Sequence, residues 1–303
     1  MDNPPVSRPS IARLGTAVVA LLAFGVAMFG GSPPSALGAS TPHLVIIVME
    51  NKEYSTVVGS SAAPYINGTL IPESRVFTQY YAEEHPSLPN YLLLTSAGSA
   101  GCVADNCPVG FDTEENLFHQ MDTAGVSWKV YAESMPSNCY TANKGAYLVR
   151  HNPPPYFANL TTCGTKDVPF TQFATDLEAG LPSFSFITPN KYNDMHTDQN
   201  TAACSLANTT LDKVCQGDRW LMQNLPPLLA LNDDASPGND VTVILTFDEG
   251  STKLSGGGRV LTLVTGPNVT PGQNNTMFGH LGLLNAMEDW LGLPRLHPTV
   301  PPV

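Results

Sequence analysis

His43-Leu-Val-Ile-Ile-Val-Met49 runs directly into Glu50-Asn51. Two later stretches repeat the pattern. Pro182-Ser-Phe-Ser-Phe-Ile-Thr188 passes into Pro189-Asn190 and on to Asp194 and His196, and Val241-Thr-Val-Ile-Leu-Thr-Phe247 stops at Asp248-Glu249. Short apolar runs rich in Val, Ile and Phe read as strands buried on both faces of a parallel sheet. Ligands of such sheets bind just past the carboxyl ends of the strands. Carboxylates gathered at one edge repel one another unless a cation or a shared proton offsets their charge. One acidic turn after a strand is ordinary; three together indicate a site for a metal ion or a phosphate.

The chain has 303 residues, 42% hydrophobic and 13% charged, with a net charge of -12. That composition describes a globular core under a weakly charged surface. The acidic balance argues against nucleic acid and against anionic membrane surfaces as non-specific partners. At the amino end, Arg8 and Arg13 precede an apolar stretch from Ala17 to Phe29, and small residues follow at Ser35-Ala-Leu-Gly-Ala39. Basic, then apolar, then small is the order of a secretory signal peptide. The run is shorter than the ~20 residues needed to span a bilayer. Residues 1–39 are therefore expected to be cleaved, leaving 40–303 as a single domain of a secreted, extracellular protein.

Cysteines stand at 102, 107, 139, 163, 204 and 215. An even count in an exported chain indicates disulfides. Loop closure favours near neighbours, so the expected pairs are Cys102–Cys107, Cys139–Cys163 and Cys204–Cys215.

Strand patterns at 43–49, 127–132, 183–188, 241–247 and 260–264 alternate with helical ones at 88–97, 114–124, 170–180, 217–231 and 281–292. Such alternation predicts an α/β fold, a central mostly parallel sheet with helices on both faces. Segment 133–169 reads as a long loop rich in Pro, Asn and Gly. Loops of that length are usually functional or held by something.

Glu83-Glu-His-Pro-Ser87-Leu-Pro-Asn90-Tyr91 places a serine where a helix is expected to begin. Backbone N–H groups there favour an anion, which suits a nucleophile attacking phosphate. The alternative is a serine that only caps the helix. A serine-esterase elbow needs Gly-x-Ser-x-Gly, and Ala97-Gly-Ser-Ala-Gly101 lacks the first glycine. Four histidines, His85, His151, His196 and His280, fall in loop contexts near acidic residues, and His43, His119 and His297 read as structural.

Glu50-Asn51 with Tyr54, His85-Pro-Ser-Leu-Pro-Asn-Tyr91, Arg150-His-Asn-Pro153, Pro189-Asn190 through Asn193-Asp-Met-His196, Gly217-Asp218, Thr246-Phe-Asp-Glu249 and Gly279-His280 occur in this order. Together they resemble the bacterial and fungal phosphoesterase family of the alkaline-phosphatase-like superfamily, with secreted acid phosphatases and phospholipases C among its members. The nearest likeness is to secreted mycobacterial acid phosphatases. The resemblance covers residues 42–295.

It implies an alkaline-phosphatase-like fold and Ser87 as nucleophile. Glu50, Asn51, Asp248 and Glu249 match metal positions, and Asp194 and His196 match catalytic ones. Asn90, His280, His151 and His85 are expected to contact phosphate. Two-zinc relatives carry Asp-His where this chain has Asp248-Glu249. An all-oxygen set suits Mg, Ca or Mn better than Zn, so a divalent cation is implied without its identity or number.

The implied activity is phosphomonoester hydrolysis through a phosphoserine, metal-assisted and acid-active, on a small-molecule or headgroup phosphate ester. The alternatives are a phospholipase C and a catalytically silent protein that binds a phosphate ligand.

Overall fold

A computed structural model describes residues 42–96, 98–233 and 240–303; the expected signal peptide lies outside them. Eight strands form one sheet: β1 (His43–Met49), β2 (Arg75–Tyr80), β3 (Trp128–Ala132), β4 (Asp167–Pro169), β5 (Phe184–Thr188), β6 (Val241–Phe247), β7 (Thr262–Thr265) and β8 (Gly272–Phe278). Their order is β4-β3-β5-β1-β6-β7-β2-β8. Neighbours pair in parallel except β7, which runs antiparallel to both β6 and β2. Flanking helices are α1 (Tyr54–Val57), α2 (Ile71–Glu73), α3 (Ser87–Leu93), α4 (Leu117–Ala124), α5 (Cys163–Lys166), α6 (Phe173–Ala179), α7 (Thr209–Leu229) and α8 (His280–Leu291). The expected mostly parallel α/β architecture is what the chain adopts.

The sheet centre explains the acidic strand ends. β1 lies between β5 and β6, parallel to each. Its residues Leu44 to Met49 are buried, as are all those of β5 and β6. Met49 pairs with Phe247, so Glu50 and Asp248 emerge side by side at the carboxyl edge. The segment after β5 brings Asp194 to the same edge, where its carbonyl accepts from the Glu50 N–H at 2.8 Å.

The three disulfides are Cys102–Cys107, Cys139–Cys163 and Cys204–Cys215, as expected from spacing. Segment 133–169 is not loose. It is closed by Cys139–Cys163, and residues 151–157, including all three consecutive prolines, are buried.

Asp167 sits buried beside that disulfide, with Oδ2 accepting from Asn152 Nδ2 at 2.8 Å. Burial pushes its carboxyl up to about 8, against the lowering effect of Asn152. The neutral acid is therefore the form the fold favours. Its stabilising contribution is complete below the ordinary carboxylate pKa of about 4 and is lost as pH rises toward 8, at up to about 1.4 kcal/mol per pH unit. Asp167→Asn, neutral throughout, should flatten the pH dependence of stability. Denaturant midpoints of wild type and variant at pH 5 and pH 8 check this. Equal losses in both would show that Asp167 does not titrate as described.

Candidate active site

Ser87 is the first residue of α3, and its side chain does not cap the helix. Pro86 occupies the N-cap, and no side-chain cap bond forms. The Ser87 hydroxyl, 2% exposed, points instead at carboxylates: Glu50 Oε2 at 3.1 Å and Glu249 Oε1 at 3.4 Å. Asn51 Nδ2 donates to Glu50 Oε2 at 2.9 Å and to Ser87 Oγ at 3.2 Å. The end of β1, the end of β6 and the start of α3 thus converge on one hydroxyl.

Glu50 joins two halves of the site. Its Oε2 serves Ser87 and Asn51, while Oε1 accepts from the Tyr91 hydroxyl at 3.0 Å and lies 2.9 Å from His151 Nε2. His151 Nδ1 lies 3.2 Å from Asp194 Oδ2, and the ring stacks on Tyr91. Burial would lower the His151 pKa, but the Glu50 charge, reinforced by Asp194, holds it up at about 9. Burial likewise opposes ionisation of Glu50, yet His151 keeps that carboxyl well below the usual range. Asp194 is pushed up to about 6 by burial, with His151 opposing. Asp248 rises well above the ordinary value through burial and through repulsion from Glu50 and Glu249. Glu249 reaches about 7 by burial, with His85 pulling the other way.

Four buried carboxylates at one sheet edge leave polar atoms unanswered. Asp248 Oδ2, Asp194 Oδ2 and His151 Nε2 are buried without a hydrogen-bond partner. Such groups cost about 1–3 kcal/mol each when left unsatisfied. His151 lies between the two carboxylates, Nε2 toward Glu50 and Nδ1 toward Asp194, and a cation bound there would take the place of a ring proton. One donor atom each from Glu50, His151 and Asp194 lies within 4.8 Å of the others. These residues fit a divalent cation. The expected grouping was Glu50, Asn51, Asp248 and Glu249; the structure adds a second donor group, Glu50–His151–Asp194, which includes an imidazole nitrogen.

The residues expected to contact phosphate are committed to protein partners. Asn90 accepts from the Glu84 N–H at 3.1 Å and donates to the Glu84 carbonyl at 2.9 Å, fixing the loop ahead of Ser87. His280 Nε2 donates to the Asp248 carbonyl at 2.6 Å, which leaves Nδ1 to accept from the Tyr80 hydroxyl at 3.0 Å. His85 pairs through Nδ1 with Glu249 Oε2 at 2.5 Å and through Nε2 with the Thr252 carbonyl at 2.7 Å. His151 is ion-paired as described. All four hydrogen-bond or ion-pair with the acidic residues or the loop that carries Ser87. His196 differs. Its Nδ1 contacts Thr197 Oγ1 at 2.9 Å, and its ring lines a cavity of about 320 Å³ together with Asn51. Burial lowers its pKa, and the Glu50 charge only partly counters that.

Lys52 is the residue the sequence reading missed. Its ammonium, almost buried, donates to the carbonyls of Met195 at 2.6 Å and Asn51 at 3.0 Å. Both acceptors sit in left-handed backbone, φ 76° for Met195 and 51° for Asn51. Such positions cost about 1–3 kcal/mol each and persist where the surroundings fix them. Lys52 fixes both, and so sets the aim of Asn51, Asp194 and His196. Burial, then the nearby charge of Lys213, brings its pKa down to about 8. The only signal available beforehand was a lysine adjoining Glu50-Asn51. Gly217 packs against the Met195 loop, while Asp218 holds the segment at Tyr65 and Ile66. A Cβ at Gly217 would lie 2.3 Å from Met195 Cγ. Asp218 accepts from the Tyr65 and Ile66 N–H groups at 3.0 and 2.8 Å.

A buried serine hydroxyl thus lies among carboxylates at the carboxyl edge of a mostly parallel sheet. Residues 61–294 match the phosphoesterase family. A phosphatidylinositol-3-phosphatase of Mycobacterium tuberculosis is 33% identical over 94% of this chain and 89% of its own length. A probable acid phosphatase of Kluyveromyces lactis is 29% identical over 86% of this chain, which spans only 60% of that relative. A solved alkaline phosphatase superfamily protein from Vibrio parahaemolyticus shares the fold, with a TM-score of 0.57 at 13% identity over 84% of this chain and 67% of its own. The chain belongs to the phosphoesterase family and is a phosphoric ester hydrolase.

Proposed function

We propose that this chain is a secreted phosphatase that hydrolyses phosphomonoesters through a phosphoserine at Ser87. The observation that carries the reading is the Ser87 hydroxyl, buried and directed at Glu50 and Glu249, beside a cavity lined by Asn51 and His196. Ser87 Oγ attacks phosphorus while its proton passes to Glu249, whose Oε1 lies 3.4 Å away. The P–O bond to the leaving group breaks, and His196 protonates the departing oxygen. In the second half, water attacks phosphorus and gives up a proton to His196, and Ser87 Oγ leaves with its proton restored.

Glu50, Asp248 and Glu249, and the group of Glu50, His151 and Asp194, would hold one or two divalent cations. When bound, a cation there supplies positive charge against the pooled carboxylates and the charge developing on phosphate. His196 must be protonated to act as acid. Its pKa lies below the ordinary histidine value, so turnover that depends on it should fall as pH rises through the region below ~6.5. That supports acid activity.

Three disulfides support an oxidising compartment, in keeping with export after removal of residues 1–39 and action of residues 40–303 as one catalytic domain. No helix among the described residues is long and apolar enough to cross a membrane. The mycobacterial relative, named for a phosphate carried on a lipid headgroup, supports a monoester over a diester.

One substrate series tests this reading: an aryl phosphate, an alkyl phosphate, and phosphatidylcholine in mixed micelles. Phosphate release from the monoesters should exceed diacylglycerol release in kcat/KM. His196→Ala should slow the alkyl ester, whose leaving group needs a proton, more than the aryl ester. Faster diacylglycerol release would make the protein a phospholipase C, and equal losses on the two monoesters would remove His196 as the acid.

A further inference from the structure

The cavity lined by Asn51, which touches Ser87, and by His196 holds a cation that the chemistry above does not use. Its walls include Asn51, Lys52, Glu53, His196, Thr210 and Lys213. Its volume of about 320 Å³ is within the range of small-molecule sites, roughly 300–1,000 Å³. Lys52 is spent on two carbonyls. Glu53 Oε1 is spent on the N–H groups of Ser251 and Thr252, at 3.0 and 2.8 Å. Lys213, from the opening turns of α7, makes neither a hydrogen bond nor an ion pair with its side chain among the described residues. In a chain of net charge -12, an ammonium left without a carboxylate on the wall of the active-site cavity is an unmatched positive charge facing the substrate. One phosphoryl group at Ser87 does not require it: in the reading above Ser87, Asn51 and His196 serve that group, and Lys213 hydrogen-bonds to none of them.

We infer that Lys213 makes this phosphatase selective for esters whose leaving group carries a second anion. This rests on the monoesterase reading above and specifies its substrate class: small phosphomonoesters with a further phosphate, either free or as a diester, near the scissile one. The second anion sits against Lys213, in the cavity that His196 also lines. Attraction across a half-open cavity is screened by salt, so the preference should weaken as ionic strength rises.

The test compares kcat/KM on three soluble probes: phenyl phosphate, 1,3-phenylene bisphosphate, and the same bisphosphate with one phosphate capped as its methyl diester. Wild type should prefer both doubly anionic probes by about tenfold at low salt. Lys213→Gln should reduce that preference to near parity, and Lys213→Glu should reverse it, with melting temperatures showing that both variants are folded. Preference for the uncapped bisphosphate alone would assign the site to a free second phosphate. Preference that includes the methyl diester would assign it to a headgroup-type diester. Equal kcat/KM on all three probes in wild type, or a variant that loses equally on all, would overturn the inference while leaving the hydrolase reading intact. No phosphate release from any probe would instead sink the hydrolase reading itself.

Discussion

Ser87→Ala should fold normally and lose at least ~100-fold in kcat, which corresponds to about 2.7 kcal/mol of barrier. The structure separates those two effects. The Ser87 hydroxyl does not cap α3, so its removal leaves the helix start, set by Pro86, unchanged. What disappears is a hydrogen bond to Glu50 Oε2, a longer one to Glu249 Oε1, and the one accepted from Asn51 Nδ2, which keeps Glu50 Oε2 as its other acceptor. Glu50 Oε2 keeps its Asn51 donor, so the stability cost is that of one ordinary hydrogen bond, about 1 kcal/mol. None of the side chains hydrogen-bonded to Ser87 Oγ, which are Glu50, Glu249 and Asn51, brings a second hydroxyl to that point. Acid quenching of wild type during turnover of a labelled ester should trap phosphate on the peptide containing Ser87. A folded variant that keeps more than about a hundredth of wild-type kcat would exclude Ser87 as nucleophile. Wild type that neither turns over nor takes up label would leave a silent phosphate-binding protein.

The three strands that carry the acidic ends were readable because each is buried on both faces, which forces an unbroken apolar run. β8 escaped for the opposite reason. Gly272–Phe278 lies at the sheet edge with most of its residues exposed, so nothing selects apolar residues or alternation there. β4 is three residues long, too short for any period. The helix expected at 217–231 begins at Thr209, capped by Asn208, whose side chain accepts from Leu211 N at 3.0 Å, and it runs through Pro226 and Pro227 near its end. At the site, acidic strand ends and Ser87 could be marked from sequence because each follows a local pattern. The work of His151 could not. It depends on a disulfide-closed segment folding back so that the ring falls between Glu50 and Asp194, a contact spanning 101 residues on one side and 43 on the other. Lys52 and Lys213 were invisible for a similar reason: a lysine announces a charge, and only the fold shows which one is buried on carbonyls and which is left facing a cavity.

Asp248→Asn should lose activity and gain stability at once, provided metal is absent. Asp248 is fully buried; Oδ1 accepts from the Asn51 N–H at 2.9 Å, and Oδ2 has no partner. Burial first, and then the charges of Glu50 and Glu249, raise its pKa well above the ordinary carboxylate value. A group shifted in that direction contributes stability below its unfolded pKa and loses it as pH rises toward the folded one. As pH rises above the ordinary carboxylate value, the metal-free wild type therefore loses stability that the variant does not. Asparagine keeps the acceptor for Asn51 and discards the charge. The chelated variant should melt above chelated wild type, by roughly 2–4 °C for each kcal/mol recovered, and the gap should widen from pH 5 to pH 8. Adding a divalent cation should invert the order, because a ligand that binds only the folded protein stabilises by about 2.7 kcal/mol at a hundredfold excess over Kd, and the variant has lost a donor. Elemental analysis should find less metal in the variant, with kcat down at least ~100-fold. Two results would defeat this account: metal-free Asp248→Asn less stable than wild type at pH 8, or wild type that keeps full turnover after exhaustive chelation with no metal detectable. The first would mean that the carboxylates at this sheet edge do not repel as described. The second would leave Ser87 to be activated by Glu249 and the histidines alone.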